Sequence, residues 1–240
     1  MRHVYHCPVR WADLDLLGHV NNVVYVDYLQ EARVDFMRAL LPPRSADMAE
    51  GVVVVRHEVS YLAPMGVRFR PVGVECWVTQ VRAATFTLAY EVFDEDDGIR
   101  TVYLRATTVL TPYVFADERP RRLAPEEKDA LGRYLEPPDA ETSARVRLVS
   151  PARDGAFRWP LHVRFSDVDY LAPILLREAP YDVWSQIAKV GTRSMTIDSE
   201  IADGDRTLAR GRVTVVFFDT ATQRSAEPPA VLRELLLAST

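Results

Sequence analysis

The chain has 240 residues, 48% of them hydrophobic and 26% charged, an ordinary balance for a protein that buries a core, so disorder is not the default. Its length admits one large domain or two small ones. The formal net charge is −5 and no block of Lys and Arg occurs, which argues against the phosphate-neutralising stripe of a nucleic-acid partner.

The first residues, MRHVYHCPVRW, lack the apolar core of a signal peptide. No run approaches the roughly 18 apolar residues of a membrane span. A cytoplasmic protein with no membrane partner is expected. The two cysteines, Cys7 and Cys76, sit in strand-like runs without metal spacing or a CxxC partner, so they are read as core or half-buried thiols.

In chain order, His3 to Trp11 alternates imperfectly and reads as a strand ending at the acidic turn Ala12-Asp13-Leu14-Asp15. The period then changes. Val23, Val24, Tyr25, Tyr28, Leu29, Ala32, Phe36 and Leu40 recur at helical spacing and Pro42-Pro43 stops the run, predicting one helix from Val23 to Leu40. Four strand-like runs follow: Val52 to Tyr61, Val72 to Val81, Thr85 to Phe93 and Ile99 to Tyr113. Turn signals separate them, notably Ala63-Pro64 with Gly66 and the acidic Asp94 to Gly98. Four consecutive strands after one long helix favour an antiparallel sheet wrapped around that helix, an α+β fold, over a parallel array. A short helix is predicted from Pro125 to Tyr134.

The second half repeats the first. Val9-Arg-Trp-Ala-Asp-Leu-Asp15 returns as Val163-Arg-Phe-Ser-Asp-Val-Asp169, identical at four of seven positions, and Tyr61-Leu-Ala-Pro64 returns as Tyr170-Leu-Ala-Pro173. In the first copy 45 residues separate the two motifs and in the second none do. The residues missing are those of the long helix. Strands are predicted over Phe157 to Asp167, Tyr181 to Val190, Ser194 to Ile201 and Thr207 to Asp219, then a helix from Pro229 to Leu237. The domains are drawn as 1–135, a complete unit; 136–144, a linker; and 145–240, a truncated repeat without the central helix.

The segment before the helix carries the candidate chemistry. Asp13 and Asp15 place carboxylates beside helix-end amides, which have no intrahelical partners and can donate to a developing oxyanion. Asn21 and Asn22 suit the N-cap, and Gly18 suits a tight turn or close ligand approach. An Asp-x-Asp pair before a helix is also commonly only a cap.

The string Trp11-Ala-Asp-Leu-Asp-Leu-Leu-Gly-His-Val-Asn-Asn-Val-Val-Tyr25, with Glu31-Ala-Arg33 following, resembles the 4-hydroxybenzoyl-CoA thioesterase group of the hot-dog superfamily. The resemblance implies a sheet curled around the helix, units that pair, and sites at the interface between two units. It also implies that Asp15 is the catalytic carboxylate, as general base or nucleophile, and that a helix-start amide at about Asn22 or Val23 polarises the thioester carbonyl.

The expected activity is therefore hydrolysis of an acyl-CoA thioester without metal or organic cofactor. Gly18, His19, Asn21, Tyr25 and Tyr28 are assigned to substrate binding. For His19 a structural or positioning role is favoured over direct catalysis, and Tyr25 and Tyr28 are read as packing residues or walls of the acyl slot. Glu31 and Arg33 are read as a surface or interface ion pair. Asp169, without the turn and helix, is not expected to act independently, and the second repeat is expected to supply a partner surface. The chain is expected to be a homo-oligomer, or an intrachain pseudo-dimer that dimerises further. The alternatives are an acyl carrier protein thioesterase and a non-catalytic acyl-CoA binding or regulatory protein. A dehydratase on the same fold would need a His/Asp or His/Glu arrangement that the sequence does not display.

Overall fold

The structure, a computed structural model, describes residues 1–15, 18–40, 50–66, 70–137, 161–174, 180–219, 222 and 224–238. The expected helix stop at Pro42-Pro43, most of the expected linker 136–144 and the expected strand start at Phe157 lie outside the described residues. The chain divides into two compact units, Met1–Val55 with Leu62–Val146, and Arg56–Tyr61 with Arg147–Thr240.

The first unit contains β1 (His3–Cys7), a 3-10 turn (Trp11–Asp13), α1 (Asn22–Leu40) and the start of β2 (Glu50–Tyr61). It continues with β3 (Val72–Val81), β4 (Phe86–Asp96), β5 (Ile99–Val114), the two-residue β6 (Arg119–Pro120) and α2 (Pro125–Gly132). Strands run β1-β3-β4-β5, antiparallel throughout. The first strand is shorter than expected: it stops at Cys7, and Trp11, which the alternation placed in it, is 77% exposed in the 3-10 turn. Pro8 follows directly and supplies no backbone N–H to a ladder.

The helix buries Tyr25, Tyr28, Leu29, Ala32, Phe36 and Leu40, every third or fourth residue, and packs against β1 and β3. Fully burying such large apolar side chains stabilises by roughly 1.5–3 kcal/mol each. Val23, expected on this face, is exposed. The rows Val74-Val92-Leu104, Cys76-Tyr90-Ala106 and Val78-Leu88-Thr108 lie in register across β3, β4 and β5 on one buried sheet face. On the opposite face Glu75, Glu91 and Arg105 form the alternate row, with Arg105 Nε 2.8 Å from Glu91. This is the inside-apolar, outside-polar alternation of an antiparallel sheet covered on one side. After α2, Tyr134 meets Phe36 edge-on with centroids 5.0 Å apart, closing the far end of the helix.

In the second unit the order is β2-β7-β10-β9-β8, where β2 contributes residues 56–60, and the others are β7 (Leu161–Tyr170), β8 (Asp182–Val190), β9 (Ser194–Asp203) and β10 (Arg206–Asp219). A two-residue β11 (Arg224–Ser225) pairs with β10, and α3 (Ala230–Ala238) packs on β8. The duplication is visible in bonding as well as in sequence. Leu62 and Ala63 donate to the Tyr103 carbonyl at 2.8 and 3.2 Å, and Leu171 and Ala172 donate to that of Leu208 at 2.8 and 3.1 Å. The outer pair Arg105–Glu91 returns as Arg210–Glu200 at 3.0 Å. The inner row Cys76-Tyr90-Ala106 returns as Ser185-Ser199-Gly211, in which the two hydroxyls lie 2.8 Å apart. Small polar residues thus stand where the first unit buries a thiol and an aromatic ring.

Candidate active site

The site is one continuous stretch, from the 3-10 turn through a tight loop to the first turn of α1. Asp13 closes the 3-10 turn, where its amide donates to the Arg10 carbonyl at 3.0 Å and its carboxylate takes the Arg10 amide at 2.7 Å. That carboxylate is 3% exposed and also accepts the Tyr28 hydroxyl at 2.6 Å and the Arg10 guanidinium at 3.0 Å. Burial alone would raise its pKa, but the Tyr28 hydroxyl, the Arg10 amide and the Arg10 guanidinium together hold it below the ordinary aspartate value. The same burial and bond push the Tyr28 hydroxyl well above its usual range, so Tyr28 donates to Asp13 and does not ionise.

Beyond Asp13 the chain makes a small hairpin. Leu14 pairs with Val20, the Asp15 amide donates to the His19 carbonyl at 2.8 Å, and the Gly18 amide donates to that of Asp15 at 3.1 Å. Gly18 has φ of 75°, a left-handed conformation that glycine adopts without strain. The half-buried Asp15 carboxylate accepts the His19 amide at 3.2 Å. The loop is held from outside by the segment after the Tyr61-Leu-Ala-Pro64 motif, because Val20 donates to the Met65 carbonyl at 2.8 Å and His19 pairs with Gly66.

The helix starts as its composition requires. Asn21 donates its amide to the Asp13 carbonyl at 2.8 Å, and its side-chain oxygen takes the Val23 amide at 3.0 Å, the bond pattern of an N-cap. The structure therefore gathers Asp15, Gly18, His19, Asn21, Asn22 and Val23 at one helix N-terminus. Within this group the Val23 amide is engaged by the Asn21 cap. Tyr25 and Tyr28 lie on the buried face of α1, with ring centroids 6.1 Å apart. The Tyr28 hydroxyl is directed at Asp13.

Burial pushes the Cys7 thiol up to about 11 and raises that of Cys76 further, so neither offers a thiolate near neutral pH. Two features that sequence reasoning passed over matter here. Arg10 clamps Asp13, and the Met65-Gly66 backbone supports the loop; the recurrence of Tyr-Leu-Ala-Pro was the available signal for the second.

The second heptad adopts a different structure. Val163 to Asp169 lies wholly within β7, which continues to Tyr170, three residues beyond the expected end. Asp167 and Asp169 point to one side of the strand, where Arg56 meets them at 2.7 and 3.3 Å. The reason is covalent. No chain separates the heptad from Tyr170, so no helix follows it directly, and it pairs with β10 on one side and, from Phe165 to Asp169, with β2 on the other. Asp167 is shifted up from the ordinary aspartate value, chiefly by burial, against the pull of Arg56.

This fold is the hot-dog fold. The sequence pattern of the thioesterase-like superfamily matches residues 9–135 and again 129–236, and the chain belongs to that superfamily. Among solved structures, the chain is similar to the 12:0-ACP thioesterase from Umbellularia californica, at 11% identity with a TM-score of 0.65 over 90% of this chain and 94% of that one. It is likewise similar to an acyl-ACP thioesterase from Bacteroides thetaiotaomicron, at 15% identity with a TM-score of 0.63 over 89% and 97%. A predicted thioesterase from Bacillus stearothermophilus is similar over 58% of this chain and 100% of its own, with 19% identity and a TM-score of 0.51. No curated protein sequence matches the chain. Among the described residues no helix is long and apolar enough to cross a membrane.

Proposed function

We propose that the protein is a thioester hydrolase acting on acyl-CoA, with Asp15 as general base or nucleophile and an amide at the start of α1, at about Asn22 or Val23, stabilising the oxyanion. The observation that carries this reading is the anchoring of Asp15. Its backbone bonds to Gly18 and His19 and its carboxylate accepts the His19 amide, all within the loop that runs directly into the α1 N-terminus. A carboxylate and helix-end donors on one short loop are what attack on a thioester carbonyl needs. Gly18 and His19 then shape the mouth of the site, while Asn21 holds the helix end as its cap. Asp169 lies in a strand that runs straight on into Tyr170 and has no catalytic part in this reading.

Thiol release across a series of acyl-CoAs tests the proposal. Asp15→Asn is expected to lose turnover by on the order of 10²–10⁴, the range for a removed general base. Saturable acyl-CoA binding with no thiol released by the wild-type protein would instead favour a non-catalytic binder. A second reading, hydrolysis of acyl carrier protein thioesters, is favoured by the likeness to acyl-ACP thioesterases over about nine-tenths of both chains. Running the same series on carrier protein separates the two substrates.

A further inference from the structure

We propose that Asp13 is a positioning residue, whose buried carboxylate, bonded to Tyr28 on α1 and to Arg10 ahead of the turn, sets where Asp15 stands relative to the helix N-terminus. This rests on the reading of Asp15 as the reacting carboxylate and goes beyond it. Asp13 is tied to three parts of the site at once. Its side chain reaches the seventh residue of α1 through the 2.6 Å bond to Tyr28, and it reaches back to the Arg10 amide and guanidinium. Its backbone carbonyl takes the Asn21 amide at 2.8 Å, so the start and end of the loop that carries Asp15 close on Asp13 itself. Only Leu14 separates the two carboxylates.

The second repeat supplies an internal control. Asp167 occupies the position of Asp13 in the heptad, but its bonded partner is Arg56 on a neighbouring strand rather than a tyrosine on a helix. There the same heptad lies within a strand paired with β10 and, from Phe165 to Asp169, with β2. Carboxylate and heptad alone do not make the turn, whereas in the first unit the turn comes with the bond to α1. A buried carboxylate is tolerated only when donors surround it, so loss of Tyr28 leaves Asp13 to seek water and releases the loop. Displacement of a reacting group by about 1 Å is enough to cost on the order of 10²-fold in rate.

The test measures kcat and KM per folded molecule for the full chain carrying Tyr28→Phe, Asp13→Asn or Asp13→Ala, with Asp15→Asn as reference and circular dichroism fixing the folded fraction. Tyr28→Phe is expected to lower kcat about tenfold, the equivalent of one hydrogen bond, and Asp13→Ala about 100-fold, each with KM within about twofold. Asp13→Asn, which keeps an acceptor oxygen for Tyr28, recovers part of the loss. The double variant Tyr28→Phe/Asp13→Ala matches Asp13→Ala alone, because both remove one contact. Without substrate, exchange of the Asp15 amide, bonded to His19 in the wild type, speeds up about tenfold in Tyr28→Phe. If Asp13→Ala fails to fold, Tyr28→Phe, which keeps both Arg10 contacts, decides by kcat and amide exchange. Wild-type kcat and wild-type Asp15 exchange in Tyr28→Phe overturn the proposal. Wild-type turnover in Asp15→Asn overturns the assignment of Asp15, and amide exchange then still decides whether Asp13 holds the loop.

Discussion

Two heptads, Val9 to Asp15 and Val163 to Asp169, share four of seven residues and the alternation of a strand, yet one is a 3-10 turn and hairpin and the other lies within a strand. Their aspartates have opposite fates. Asp13 is enclosed by donors and its pKa is held down, while Asp167 is half-buried beside Arg56, Asp169 and Glu58 and its pKa is pushed up. The difference teaches that the motif carries no structure of its own. Its shape is decided by the chain on its C-terminal side, which is a stretch of 45 residues including α1 in one case and Tyr170 directly in the other.

The comparison breaks most sharply at the second aspartate of each heptad. Asp15→Asn should cost on the order of 10²–10⁴ in turnover, whereas Asp169→Asn should stay within about twofold of wild type; comparable losses in a thiol-release assay would mean that both heptads act. Next comes the helix that only the first heptad has. Phe36→Ala, at a fully buried position, should destabilise the first unit by about 3–5 kcal/mol, read as faster amide exchange in β3 and β4. Asn21→Ala removes the cap bond to Val23 and should lower stability by about 1 kcal/mol, measurable by denaturant unfolding.

The smallest effect is in proton binding. Because the folded pKa of Asp13 lies below the ordinary 3.8, its contribution to stability is present above that pH and is lost as pH falls through the folded value. Asp167 has the opposite sign. Its raised value favours the folded state in acid, and that contribution is lost as pH rises through the folded pKa. Carboxylate titration by NMR should place Asp13 below 3.8 and Asp167 above it, and the reverse order would contradict the burial and bonding of both groups.

Much of the fold was legible in the sequence, because it rests on local periodicity. The predicted helix from Val23 to Leu40 differs from Asn22–Leu40 by one residue, since the apolar spacing and the Asn cap both act locally. The strands of both repeats fall within a few residues of expectation, apart from β1, which Pro8 and the 3-10 turn cut short, and β7, whose expected start lies outside the described residues. Less legible was anything requiring a distant partner. Tyr28 has the spacing of a core residue, and nothing local shows that its hydroxyl meets Asp13. Arg10 resembles Arg164 in the other heptad, but it clamps an aspartate while Arg164 is exposed in a strand. The engagement of the Val23 amide by Asn21 comes from cap geometry, which composition suggests but does not place to the residue.

The bond from Tyr28 to Asp13 spans 15 residues of chain, whereas the bond from Arg56 to Asp167 spans 111. Closing the longer loop costs about 1.8 kcal/mol more in chain entropy by the logarithmic law for flexible loops. The first heptad can therefore commit to its turn as soon as α1 forms, while the second gains its strand shape only from β10 and β2, both farther along the chain than Tyr28 is from Asp13. In pulse-labelled exchange during refolding, the amides of Asp15 and Asn21 should gain protection before those of β7, so that order of assembly, and not only final shape, divides the two copies of one motif.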